Sequence, residues 1–211
     1  MGQKQTGGGK LPRSNVRWIA QVGVLSCLSF LLMMAEFPLW FAPGFYRLDL
    51  SEIPALIGGF AAGPLAGATV ELVKVLLYFF LHGSSTAGVG DFANLVIGCC
   101  MVVPAALIYR RRRTRGSVLG GLAAGTLLMT AAGSLANAYL LLPLFARVMN
   151  VPVETFVQMG TAVNPAVTDL GTLILFAVVP FNLVKGALVS VLSALLYRKI
   201  GPALGRMVQN P

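Results

Sequence analysis

The chain reads as an all-α, polytopic membrane protein with six transmembrane helices and both termini in the cytoplasm. Three observations predict this. Hydrophobic residues fill 56% of the 211 positions and charged residues only 11%, against roughly 25% charged in a soluble domain. Mean hydropathy is +0.80. Apolar runs of about 20 residues, the length that crosses the hydrocarbon core, recur along the chain between turn residues and short charged stretches. So few charges cannot clothe a water-soluble surface, which excludes a soluble enzyme. A disordered chain is excluded too, because disorder needs low hydrophobicity.

The elements follow in order. Residues 1–16 are polar, Gly-rich and basic and read as a flexible tail. The membrane domain covers 17–197, and 198–211 form a second cytoplasmic tail. Span one is expected over 18–38; it lacks a small-residue cleavage site and more spans follow, so it is no secretory signal. A loop to residue 50 precedes a short helix over 51–63, with Ser51 as its cap and Pro54 in its first turn. That helix is short for a full crossing. Pro64 opens span three, to Leu81, and 82–89 is a turn segment. Span four covers 90–109 and stops at the run Arg110-Arg-Arg-Arg-Thr-Arg115. Span five covers 117–146, a polar-leaning connection 147–167, and span six 168–197. Five spans would result if 51–81 were one bent element.

Charge sets the orientation. Twelve of the sixteen basic residues lie before span one (Lys4, Lys10, Arg13, Arg17), after span four (Arg110 to Arg113, Arg115) and after span six (Arg198, Lys199, Arg206). None of the seven acids lies there. With six spans these places share one side, which the positive-inside rule makes the cytoplasm. The net charge of +9 thus anchors topology and does not indicate nucleic-acid binding.

Cys27, Cys99 and Cys100 all lie in apolar runs, and His82 is the single histidine. No disulfide framework and no metal site is expected. Gly116, Gly120, Gly121 and Gly125 give GxxxG spacings in span five, where backbones approach closely. Packing inside the bundle is the favoured use. A strip of small residues on span one (Ala20, Gly23, Ser26, Cys27, Ser29) suits contact with a partner helix.

Ionisable groups inside a membrane are costly and call for a role. Glu71 and Lys74, three apart, share one helix face and can pair. Lys185 has Asn182 beside it and no acid within its own span. With Asn94, Asn137, Tyr139 and Asp49 it suggests a polar pocket in the outer half of the bundle. Catalytic motifs are missing: there is no GxSxG and no HExxH, and Gly7-Gly-Gly-Lys10 fails the P-loop spacing. Energy for uphill transport would have to come from a partner or an ion gradient. A membrane enzyme would want paired carboxylates or an acid–histidine pair, and a lone carrier would want inverted repeats; neither is evident.

The run Tyr46-Arg-Leu-Asp49-Leu-Ser51-Glu52-Ile-Pro54 through Gly63-Pro64-Leu-Ala-Gly67, followed by Glu71-Leu-Val-Lys74, resembles the substrate-binding (S) components of energy-coupling factor (ECF) transporters. Gly90-Asp-Phe-Ala-Asn94, Asn137-Ala-Tyr139 and Phe181-Asn182-Leu-Val-Lys185 are similar to the riboflavin-specific members. The resemblance covers 17–197. It implies a six-helix protein of a prokaryotic cell membrane, with an outward pocket covered by the first loop and no cofactor. It also implies a transmembrane coupling subunit and two ATPase subunits as partners. The family docks through an Ala-x-x-x-Ala strip on span one. Here Val24 stands four after Ala20, so Ala20, Gly23 and Cys27 are the docking candidates. Riboflavin needs an apolar slot for its ring, which Phe45, Tyr46 and Leu48 could wall. It also needs directed donors and acceptors, which Asp49, Asn94, Asn137, Tyr139, Asn182 and Lys185 could supply. A flavin phosphate or another B vitamin is the alternative ligand.

Overall fold

A computed structural model describes residues 13–84 and 88–209, with side chains for 16–84 and 88–199. Of the expected tail 1–16, residues 1–12 lie outside this range, and Arg13 already begins α1 (Arg13–Met34). A two-residue hairpin follows, β1 (Phe37–Pro38) against β2 (Arg47–Leu48), antiparallel with Phe37 opposite Leu48. Then come α2 (Glu52–Ala62), α3 (Pro64–Leu81), α4 (Val89–Arg112) and α5 (Arg115–Ala136). A π-helical turn (Asn137–Leu141) joins α5 to α6 (Leu142–Met149), and α7 (Val153–Thr161) lies in the expected connection 147–167. The one-turn α8 (Leu170–Leu173) and a second π turn (Ile174–Val178) lead into α9, Val179–Gln209.

Among the described residues, five helical stretches are long and apolar enough to cross a membrane, and α2 is a shorter apolar helix. Their outward faces carry large apolar side chains: Val24 is 69% exposed, Leu65 72% and Phe80 77%. In water such a surface would drive aggregation. In lipid it is the required face, because every backbone group is satisfied within the helices.

The sixth element departs from a simple span. Eleven residues of α2 rise about 16 Å, roughly half the hydrocarbon thickness. Glu52 through Phe60 are all buried, among α1, α3, α4 and α9. Its far end reaches the arginine-rich end of the bundle: Arg110 Nη1 is 3.9 Å from where a Gly63 Cβ would stand. Gly63 adopts φ +99°, a left-handed value that an L side chain avoids, and Pro64 at the first helical position restarts the chain as α3. The loop 39–51 dips into the bundle to meet the inner start of α2. Ser51 caps differently from expectation. Its backbone is already helical, φ −66° and ψ −21°, so it makes no side-chain cap to α2, and its hydroxyl accepts from Lys74 Nζ at 2.7 Å.

Both π turns have the same cause. Pro143 and Pro180 each sit two residues past a π turn. A proline cannot donate to the carbonyl four residues back and its ring crowds that carbonyl. The turn before it widens, so Leu142 N–H donates to Asn137 O and Val179 N–H to Ile174 O, five residues back. The two turns touch each other and bring Asn137 and the start of α9 together.

The glycines of span five divide by face. Cβ atoms at Gly121 and Gly125 would stand 2.7 Å from Ala105 O and 2.5 Å from Met101 O. These two hold α5 backbone-to-backbone against α4. A Cβ at Gly120 would meet nothing within 4 Å. Gly125→Ala is therefore expected to destabilise the protein by about 1–3 kcal/mol. Gly120→Ala is expected to be neutral or to stabilise by roughly 0.5–1 kcal/mol through helix propensity. Thermal unfolding of the two variants in one detergent checks the contrast.

Candidate functional site

Five ionisable side chains from four segments meet inside the bundle. Lys185, on α9, approaches Asp49 Oδ2 at 2.8 Å and Glu52 Oε1 at 3.0 Å. Lys74, on α3, approaches Glu71 Oε2 at 2.7 Å and the same Glu52 Oε1 at 3.5 Å. All five are buried. The Glu71–Lys74 pair is the one expected from helical spacing. The acids facing Lys185 come from the first loop and the start of α2. Asp49 and Glu52 also sit where the α2 N-terminus favours negative charge.

Hydrogen bonds lock the loop to this cluster. Asp49 Oδ1 accepts from the Ser51 N–H at 2.9 Å, and Ser29 Oγ donates to Ser51 O at 2.6 Å. Burial alone would raise the Asp49 pKa. The charges of Lys185 and Lys74, with hydrogen bonds from Lys185 and Ser51, outweigh it and hold the carboxyl below the usual carboxylate range. Its stabilising contribution is present above the unfolded value of about 3.9 and is lost as pH falls through the lowered folded value. Glu52 Oε2 finds no donor among the described residues. An ammonium has three donors, and carboxylates take two of those on Lys185.

An aromatic and amide layer lies beside the charges. Tyr46, on the loop, donates to Asn137 Oδ1 at 2.7 Å; burial pushes its pKa up, so it keeps the proton it donates. Asn137 Nδ2 donates to Gly133 O, and Asn182 Nδ2 to Val178 O. Gly133 lets the Asn182 amide lie against the α5 backbone, 3.2 Å from where its Cβ would be. Tyr46 packs on Phe181, ring centroids 5.4 Å apart. Phe45 packs on Phe156 of α7 at 5.5 Å. Leu48 is 1% exposed and clusters with Ala42 and Phe181.

Most of the residues singled out from sequence thus converge: Phe45, Tyr46, Leu48, Asp49, Asn137, Asn182 and Lys185. Asn94 is on α4, which packs against the Asn137 turn, and its buried Oδ1 has no hydrogen-bond partner among the described residues. Tyr139 is not brought in. It is 80% exposed, because a residue two positions on projects from the side of the helical turn opposite Asn137. Sequence reasoning passed over Glu52, Phe156 and Phe181. Phe181 was signalled by its place one before Asn182 and four before Lys185 on one helix. Phe156 had no comparable signal. On α1, Ala20, Gly23 and Cys27 are all exposed, while Ser26 and Ser29 of the same strip turn inward and are buried.

Comparison with known proteins places these features in a lineage. A family described as "ECF transporter, substrate-specific component" matches residues 17–197. The riboflavin transporter RibU of Staphylococcus aureus is 33% identical over 199 residues, covering 94% of this chain and 97% of that protein. The riboflavin transporter FmnP of Bacillus subtilis is 30% identical over 190 residues, covering 89% and 93%. A solved S component of a bacterial ECF transporter superposes with TM-score 0.70 at 30% identity, over 90% of this chain and 98% of that one.

Removing Lys74 leaves Glu71 and Glu52 without a close cation on α3. Lys74→Met is expected to cost about 3–5 kcal/mol, the penalty for an uncompensated buried charge. Adding Glu71→Met should recover more than half of it. Chemical unfolding of the single and double variants in detergent measures both numbers.

Proposed function

This chain belongs to the family of ECF transporter substrate-specific components, and from that premise we propose that it is the high-affinity riboflavin-binding subunit of a vitamin uptake transporter in a prokaryotic cell membrane. A coupling subunit and two ATPase subunits would supply the driving energy. The exposed strip Ala20, Gly23 and Cys27 on α1 is the proposed docking line for the coupling subunit, since small residues let helices approach closely.

The observation that carries this reading is the convergence of Tyr46, Asn137, Phe181, Asn182 and Lys185 in the part of the bundle away from the arginine-rich end, under a loop held by Asp49. The aromatic side chains Phe45, Tyr46 and Phe181, with Leu48, suit a flat apolar ring. Asn137 and Asn182 suit its dione edge and ribityl hydroxyls, and Lys185 keeps a third donor beyond the two that Asp49 and Glu52 take. Asn94 supplies a further acceptor from α4. The ligand enters as Tyr46 releases Asn137 Oδ1, so the loop that seats the ring is also the door. With three acids set beside two lysines, the buried cluster has no surplus of positive charge. That balance suits an uncharged vitamin and opposes a phosphate, so flavin mononucleotide should bind more weakly than riboflavin.

Titration of detergent-purified protein with riboflavin, its phosphate and thiamin, following tryptophan emission, tests the assignment. Saturable quenching by riboflavin first, its phosphate second and thiamin not at all is expected. Lys185→Ala should weaken riboflavin binding by more than about tenfold, since a hydrogen bond to a charged group is worth roughly 1.5–3 kcal/mol. Unchanged affinity would remove Lys185 from the site, and quenching by thiamin alone would overturn riboflavin as the ligand.

A further inference from the structure

At the arginine-rich end, α5 and α9 diverge and leave a groove of about 1420 Å³. The divergence starts where the two helices are closest. A Cβ at Gly186 would stand 2.6 Å from Thr126 Cγ2, and Thr126 Oγ1 and Ser190 Oγ are hydrogen-bonded at 3.1 Å. Beyond this contact the walls are apolar and open. Leu119 is 62% exposed, Leu127 64%, Val191 58% and Leu195 54%. The floor is aromatic: Phe60, Tyr109 and Tyr197 pack edge to face, and Tyr197 donates to the Tyr109 hydroxyl at 2.9 Å.

The rim has the opposite character. Arg110, Arg113, Arg115 and Arg198 line the mouth, and no acid is among the residues that line the groove. Arg113 closes α4 with φ +48°, and Thr114 caps α5 through a reciprocal bond with Ser117. This tight turn fixes the guanidiniums of α4 and α5 relative to one another. The first turn of α5 has no acidic residue, so the helix dipole adds positive potential at the same place.

Length identifies the occupant. From Arg115 to Leu127 the wall of α5 rises about 18 Å, and one leaflet of the hydrocarbon core is about 15 Å deep. The groove thus runs from the interface to mid-bilayer, with cations only at its mouth. The positive-inside rule sets this mouth at the cytoplasmic face, where anionic lipids attract clustered basic side chains. We propose that the groove between α5 and α9 binds one anionic phospholipid of the cytoplasmic leaflet, its phosphate on the arginine rim and one acyl chain along the apolar walls. This site is separate from the amide and aromatic layer at the other end of the same helices.

Native mass spectrometry of the full chain in detergent tests this, with phosphatidylglycerol, phosphatidylcholine of equal chain length, and inorganic phosphate as the additions. One phosphatidylglycerol should be retained in preference to phosphatidylcholine, with no displacement by inorganic phosphate. Arg110→Gln with Arg113→Gln should lower retention by about fivefold per arginine removed. Ala123→Trp intrudes on the acyl-chain path at mid-groove and keeps every charge; it should lower retention while circular dichroism shows an intact helical fold. Equal retention of both lipids, displacement by inorganic phosphate, or full retention in folded Ala123→Trp would overturn the proposal.

Discussion

Three carboxylates and two ammoniums buried in an apolar bundle constrain everything around them. A single unpaired charge there would be prohibitive, so each element that contributes one is held where the others need it. Lys185 fixes the depth of α9 through Asp49 and Glu52, and Lys74 that of α3 through Ser51 and Glu52. Asp49 and Glu52 can reach them only because the first loop descends into the bundle and α2 begins inside it. The half-length of α2 follows from this. Its missing turns are replaced by a loop that brings carboxylates to mid-bundle depth.

The same constraint ties the loop to the candidate ligand layer. Asp49 and Leu48 are buried, and Tyr46 between them and Phe45 turns toward Asn137 and Phe181. Prolines 143 and 180 shape the opposite wall by widening the turns before them. π turns recur at functional sites because they change the direction in which side chains and carbonyls project. The bundle is therefore tight in its middle, where Gly121, Gly125 and Gly186 let backbones touch. It is shaped differently at its two ends: aromatic and amide-lined at one, open and rimmed by arginine at the other.

Much of this was legible in the sequence, and particular residues show why the rest was not. Composition and run length gave the fold class, because lipid imposes one requirement on every span. Glu71 and Lys74 were readable as a pair because helical geometry puts residues three apart on one face. Lys185 was readable as anomalous. Its partner Asp49 lies 136 residues away, and no local rule connects them. Tyr139 was misplaced because adjacency to Asn137 in the chain means opposition on a helix. The π turns left a signal in Pro143 and Pro180, although Pro104 sits inside α4 without one. Proline alone was therefore insufficient to find them. The groove depends on where α5 and α9 separate, a tertiary property with no mark in either helix.

Hydrogen exchange of the purified protein with and without riboflavin tests most directly whether the loop and amide layer receive the vitamin. Exchange should slow at Tyr46 through Ser51 and around Asn137 and Asn182, with the arginine-rimmed end unchanged. An unchanged loop, or protection confined to the arginine end, would contradict it.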